Sequence, residues 1–257
     1  GIVTPEVAAK YAVYAMASSN CYHQPPSEKL YFPIHLIGWE QVDLNGSPTK
    51  KATFAPDSGL AYDIYEHRDS NASIFAFRGT DSLYDYISAS LKFGPWSGQY
   101  RAGRQEFVKY AKRRPERTIV LTGHSLGGGL ALSASVRQDV ATDANVTGFD
   151  SVTFDPSPRV FDGLGDHHAY ASRVVIYEDG EILQKVRPLW QRKFYSIVQR
   201  DNVYRADYDF GPPDSRKFKL LSDATRRHRA DFLAAGLLEA GARVDPNLKI
   251  VFEATQE

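Results

Sequence analysis

Apolar positions along the chain follow two periods, and the alternation between them predicts the architecture. Val7, Ala8, Tyr11, Tyr14 and Ala15 recur at helical spacing and predict a helix over 6–18. A polar stretch follows, with turns expected at QPPSEK and NGSPTK. AYDIYEH (61–67) alternates at period two, RDSNA (68–72) breaks the pattern, and SIFAF (73–77) is apolar from Ile74 on, so a hairpin with a buried second strand is expected. Leu83, Ile87 and Leu91 give DSLYDYISASLKF helical spacing, and RQEFVKYAKRR (104–114) predicts a helix ending before Pro115, its basic end suiting the helix dipole. TIVLT (118–122) predicts a buried strand and GGLALSASVRQDVA (128–141) a helix. FDSVTFDP (149–156), SRVVIYED (172–179) and KFYSIVQRD (193–201) predict three more strands. DATRRHRADFLAAGLLEAG (223–241) predicts a helix with Asp223 as N-cap and Gly241 just past its end. Strands alternating with helices indicate an α/β domain with a largely parallel sheet, to which the β-rich N-terminal part adds antiparallel strands. No composition shift marks a boundary, so residues 1–257 are expected to form a single domain.

Composition narrows the function. Thirty-one Lys and Arg balance 31 Asp and Glu, so no overall field favours nucleic acid or an anionic membrane. With Cys21 the one cysteine, no intrachain disulfide can form, which fits a reducing compartment or an exported chain that needs no staple. No apolar run approaches the ~18 residues of a spanning helix. The N-terminal stretch lacks a basic leader and is interrupted by Lys10, so it reads as an amphipathic helix rather than a signal peptide. Met16 is the only methionine, which suggests a trimmed or mature chain and leaves secretion or delivery from a bacterium open.

Gly123-His124-Ser125-Leu126-Gly127 fits G-x-S-x-G, and its context supports it: a β-branched run precedes it and a helix-forming run follows. A strained strand-to-helix turn needs flanking residues without bulk, and the following helix N-terminus points N–H groups at charge formed beside Ser125. The alternative, an idle serine in a glycine-rich turn, accounts less well for the agreement of motif and context. A serine nucleophile needs a base, and the base an orienting acid. The chain order for such an elbow is Ser, acid, His. Of the histidines after Ser125, His167 and His168 precede the strand SRVVIY, which leaves His228 as base. The acid is expected just past a strand's C-terminal end, where open sheets place their sites. Asp179 occupies such a position, with Glu178 and Glu181 beside it and Asp201 after the next expected strand. Asp155 reads as a turn-capping residue. For the oxyanion, the N–H of Leu126 supplies one donor, and FAFRGTDS supplies the second at Thr80, with Gly79 allowing the turn. No metal site is apparent, His167-His168 being the only close pair, and the chemistry calls for no cofactor.

These segments resemble the class 3 lipase family, the fungal-type triacylglycerol lipases and their plant and bacterial relatives. FAFRGTDSLYDYISASL (75–91) is similar to the family's oxyanion and lid-hinge segment, TIVLTGHSLGGGLA (118–131) to its nucleophile segment, and SPRVFD with SRVVIYED to its acid-bearing region. The likeness spans about residues 60–180 and points to a bacterial member. It implies an α/β-hydrolase fold, a mostly parallel sheet with an antiparallel N-terminal part, and a lid helix at about 82–96. It further implies Ser125 as nucleophile, Asp179 as acid, His228 as base, and Thr80 with Leu126 at the oxyanion hole. Departures are Tyr86 where the family has Trp, Ser90 where it often has Asp, SGQY (97–100) in place of a His-containing segment after the lid, and EDGEIL after the acid strand. The last departure keeps Glu178 and Glu181 open as the acid.

Three readings follow. The first is a lipase or phospholipase A that cleaves lipid carboxylic esters through an acyl-enzyme at a lipid interface. The second is a bacterial phospholipase toxin with an immunity partner. The third is a non-catalytic lipid- or protein-binding module on a hydrolase fold, against which the intact elbow argues.

Overall fold

A computed structural model of the chain describes residues 1–22, 30–55, 58–79, 97–157, 170–185, 196–208 and 228–256. Its centre is an eight-stranded mixed sheet. In chain order the strands are β1 (Trp39–Val42), β2 (Thr53–Phe54), β3 (Ala61–His67), β4 (Ala72–Phe77), β5 (Thr118–His124), β6 (Asp150–Phe154), β7 (Arg173–Glu178) and β8 (Val203–Ala206). They lie in the order β1-β3-β4-β5-β6-β7-β8, with β2 also pairing β3. The β1, β2 and β4 pairings with β3 are antiparallel, and every pairing from β4 to β8 is parallel. The expected antiparallel start and parallel body are therefore present, and this is the α/β-hydrolase fold.

The helices are α1 (Pro5–Asn20), α2 (Ser97–Arg113), α3 (Leu126–Val136), α4 (Gln138–Asp143), α5 (Ala230–Ala242) and α6 (Pro246–Thr255). They cover both faces, as a parallel sheet requires. On one face Ile74, Ala76, Val152, Phe154 and Ile176 pack against α1 and α5 through Ala8, Ala12, Met16, Leu233 and Leu237. On the other, Tyr62, Phe75, Phe77 and Leu121 pack against α2 and α3 through Tyr100, Phe107, Tyr110, Leu126 and Leu130. The period-two side-chain alternation thus sends Phe75 and Phe77 to one core and Ile74 and Ala76 to the other. Phe75 stacks on Tyr62 with ring centroids 4.7 Å apart and meets Phe107 edge-on at 5.4 Å. No described helix is long and apolar enough to cross a membrane.

Some boundaries differ from the sequence pattern. Arg137 takes an extended conformation (φ −79°, ψ 120°) and splits the expected single helix into α3 and α4. Its guanidinium binds the Asp139 carboxylate through two hydrogen bonds, at 2.9 and 2.8 Å, so the break is stabilised locally. Of the strand expected at 193–201, residues 193–195 lie outside the described residues; in the rest Arg200–Asn202 is a 3-10 turn, and β8 begins at Val203. Gly241 is inside α5 rather than beyond it, because its lack of a side chain lets Ala9 of α1 approach; a methyl there would sit 2.9 Å from the Ala9 Cα. Asp223 and the expected helix at 81–93 fall outside the described residues.

Candidate active site

The site is built at the C-terminal ends of β4 to β7. Ser125 joins β5 to α3 with φ 59° and ψ −120°, a left-handed conformation that costs a non-glycine residue about 1–3 kcal/mol. Its backbone is held on both sides. Its N–H donates to the Phe154 carbonyl at 3.0 Å, and its own carbonyl accepts from the N–H groups of Gly129 at 3.1 Å and Ser157 at 2.9 Å. The motif glycines are steric requirements. A methyl on Gly123 would overlap the Gly127 carbonyl, one on Gly127 would overlap the Phe77 carbonyl, and one on Gly128 would stand 2.9 Å from the Pro156 Cβ. Strand and helix pack at this distance only without side chains. Leu126 is the first residue of α3, so its N–H lies at the positive end of that helix.

The segment leaving β4 is tied to the elbow by Tyr22, just past α1. Its phenol accepts from the Gly79 N–H at 3.0 Å and donates to the His124 carbonyl at 3.0 Å. Thr80, the next residue and an expected oxyanion donor, lies outside the described residues, as do the expected lid (82–96), His167 and His168.

His228 is buried, only 5 % exposed, and its Nδ1 lies 2.7 Å from Glu181 Oε2. The structure brings Glu181, not Asp179, to the expected base, and a turn explains why. β7 ends at Glu178, the Glu181 N–H donates back to the Glu178 carbonyl at 3.2 Å, and Gly180 takes φ 82°. The chain therefore reverses within two residues of the strand. Asp179 is left half-buried at the rim, accepting from Gln184 Nε2 at 3.1 Å, while Glu181 returns fully buried. Glu181 Oε2 also accepts from the Leu183 N–H at 2.7 Å, which fixes the carboxylate from a second side. Glu178 is buried too, but its Oε1 accepts from the Tyr208 N–H at 2.7 Å. Burial and the charge of Glu178 push the Tyr208 phenol up to about 12. Asp201 sits in the exposed 3-10 turn that precedes β8, at the opposite end of that strand from the site.

A second imidazole–carboxylate couple adjoins the first. His124 Nε2 lies 3.2 Å from Asp155 Oδ2, and the His124 and His228 ring centroids are 4.7 Å apart at a tilt of 49°. One ligand atom from each of His124, Asp155 and His228 falls within 4.8 Å of the other two. Two imidazoles and a carboxylate suit a zinc-like cation, which would occupy the ring expected to act as base. Sequence reasoning missed this group because its members come from three elements and have no motif spacing. The available signals were His124 inside the elbow and Asp155 directly past a strand.

The fold is similar to that of several solved lipases. Lipase II from Rhizopus niveus superposes with a TM-score of 0.50 at 14 % identity, covering 75 % of this chain and 78 % of that one. The lipase of Rhizopus microsporus var. chinensis gives 0.48 at 16 %, over 70 % of this chain and 69 % of that one. A Rhizomucor miehei lipase–propeptide complex gives 0.47 at 16 %, over 70 % and 63 %, so the chain spans less than two thirds of that relative. No curated protein sequence matches. The phospholipase-like family model described as the Tle-like phospholipase domain matches residues 13–200, a stretch that takes in the elbow, Glu181 and Asp155 and stops short of His228. A match over most of the chain shows that it belongs to the Tle-like phospholipase domain family, as a hydrolase of lipid esters.

Proposed function

We propose that the chain cleaves an acyl ester of a phospholipid through a Ser125–His228–Glu181 triad, with Glu181 in the role expected of Asp179. The 2.7 Å contact between His228 Nδ1 and Glu181 Oε2, both buried, carries the reading. In this mechanism Glu181 fixes the imidazole so that Nε2 is the basic nitrogen. That nitrogen is buried and has no hydrogen-bond partner among the described residues. The Ser125 hydroxyl attacks the ester carbonyl and its proton passes to Nε2. The oxyanion takes the Leu126 N–H and a donor at Thr80, and His228 then protonates the leaving alcohol. Water repeats the sequence on the acyl-enzyme and frees Ser125.

Two exposed apolar side chains on the segment bonded to α5 also suit a lipid substrate. Leu30 and Tyr31 are 44 % and 46 % exposed, and the Leu30 N–H reaches Asp231, three residues beyond His228, at 3.4 Å. No feature of the described residues speaks for the immunity partner. The test is acyl release from phosphatidylcholine vesicles, a triacylglycerol emulsion and a short p-nitrophenyl ester by wild type and Ser125→Ala. Turnover of the vesicles above the emulsion, lost in the variant, is the expected result. A preference for the emulsion would make the enzyme a triacylglycerol lipase, and activity surviving in Ser125→Ala would remove the proposed nucleophile.

A further inference from the structure

We infer that Asp155 is a positioning residue for the triad: one carboxylate that locks the nucleophile strand to the acid-bearing turn and holds the surface against which His228 rests. The inference rests on the triad proposed above. Asp155 looks like a turn residue in the sequence, yet it is fully buried, and a carboxylate is seldom buried without a task. It is one of three described non-glycine residues with positive φ, at 42°, and another is Ser125 itself. An aspartate tolerates that region better than most residues, but only surroundings that over-determine the conformation keep it there.

Those surroundings are the site. The Asp155 N–H donates to the Ile176 carbonyl of β7 at 2.9 Å. Oδ1 accepts from the Glu178 N–H at 2.8 Å, at the start of the turn that delivers Glu181. Oδ2 faces His124 Nε2 at 3.2 Å, and His124 is bonded through the chain to Ser125. Phe154, directly before Asp155, and Ser157, two residues after it, complete the clamp by holding the Ser125 N–H and carbonyl. The two oxygens of one side chain thus span β5 and β7 across the strand between them. His124, fixed at one end, presents its ring to His228 at 4.7 Å, while Glu178, fixed at the other, sets the origin of the Glu181 turn. Asp155 touches His124 directly and Glu181 only through the turn that starts at Glu178, and its contribution is alignment rather than proton transfer.

Asp155→Gly removes both bonds while relieving the backbone, because glycine takes positive φ freely. Asp155→Asn keeps the shape and an acceptor for the Glu178 N–H. Each variant and wild type is assayed for kcat and KM on a short p-nitrophenyl ester, for the rate of Ser125 labelling by a fluorophosphonate, and for Tm. Asp155→Gly is expected to keep KM within about twofold and to lose roughly 10- to 100-fold in kcat and in labelling rate, the scale of an ångström-level misalignment. Asp155→Asn should recover part of both at similar Tm. A glycine variant that melts like wild type and keeps kcat within twofold overturns the inference, as does a loss of kcat that follows Tm across both variants. Should the glycine variant not fold, His124→Phe supplies the second arm. Because Phe packs like the imidazole but lacks Nε2, Asp155→Asn should cost less in that background than in wild type, and equal costs in the two backgrounds overturn the coupling. Wild type that neither turns over ester nor labels at Ser125 sinks the triad reading itself, a result distinct from any of these.

Discussion

Replacing Glu181 separates the two carboxylates that flank the Gly180 turn. Glu181→Ala removes the partner of His228 Nδ1 and leaves a polar ring atom buried beside an emptied space, since Glu181 is fully buried and His228 only 5 % exposed. Removing one member of a buried, charge-assisted pair costs about 3–5 kcal/mol. If that loss falls on the imidazolium formed in the transition state, a tenfold change per ~1.4 kcal/mol makes it roughly 10²–10⁴ in kcat. Glu181→Gln should lie between alanine and wild type. The same oxygen, Oε2, takes both His228 Nδ1 and the Leu183 N–H, so an amide oxygen can keep the geometry and lose only the charge. Asp179→Asn changes a half-buried group that accepts from Gln184 Nε2 at 3.1 Å, and its kcat should stay within about threefold of wild type. The assay is initial-rate hydrolysis of phosphatidylcholine vesicles, with Tm measured alongside. Asp179→Asn losing 100-fold while Glu181→Ala keeps most of its rate would refute the reasoning and return the acid to Asp179.

Three further outcomes are expected. Burial lifts the Asp63 carboxyl to about 6 against the pull of its hydrogen bonds with Cys21 and Tyr65 and the charge of Arg78. The folded state therefore holds this proton more tightly than the unfolded chain, a contribution of up to about 3 kcal/mol that is full below about pH 4 and lost as pH rises through 6. Asp63→Asn should accordingly raise Tm relative to wild type at about pH 8 and not at about pH 4, as thermal melts at the two pH values will show. Tyr22→Phe removes the hydroxyl that links the Gly79 N–H to the His124 carbonyl, two bonds of roughly 1 kcal/mol each, and kcat on the short ester should fall about 5- to 30-fold with KM little changed. Zn2+ should inhibit by engaging His228 with His124 and Asp155, EDTA should restore activity, and loss of that inhibition in His124→Phe, measured against the variant's own basal rate, checks the ligand set.

Much of the site was legible because its requirements are local. The elbow needs glycine at fixed offsets from Ser125, and the packing of Gly123, Gly127 and Gly128 against backbone and Pro156 shows why no other residue serves. The sheet was legible because IFAF within SIFAF and IVL within TIVLT are apolar at every step, the mark of strands buried on both faces. The acid was not, since Asp179 and Glu181 are both carboxylates past the same strand and only the reversal at Gly180 decides which one turns inward. The strand expected at 193–201 slipped because SIV is as apolar as a strand, whereas β8 is the half-exposed VYRA, whose edge position needs no continuous apolar run. Asp155 was legible as a residue and illegible as a role: its partners lie 31 residues before it and 23 after it in the chain.

Among the described residues, two of the three left-handed non-glycine positions, Ser125 and Asp155, belong to one small volume of the protein, and Gly123, Gly127 and Gly128 around them have no room to grow. The conformations that would relax the molecule there are the ones that would disarm it. Selection for heat resistance alone would drift toward glycine at Ser125 and enrich proteins that fold well and hydrolyse nothing. Thermal screening is a safe guide to improvement in the two apolar layers on either side of the sheet. At the end of β5 it ranks variants in the wrong order, and only a measurement of turnover ranks them correctly.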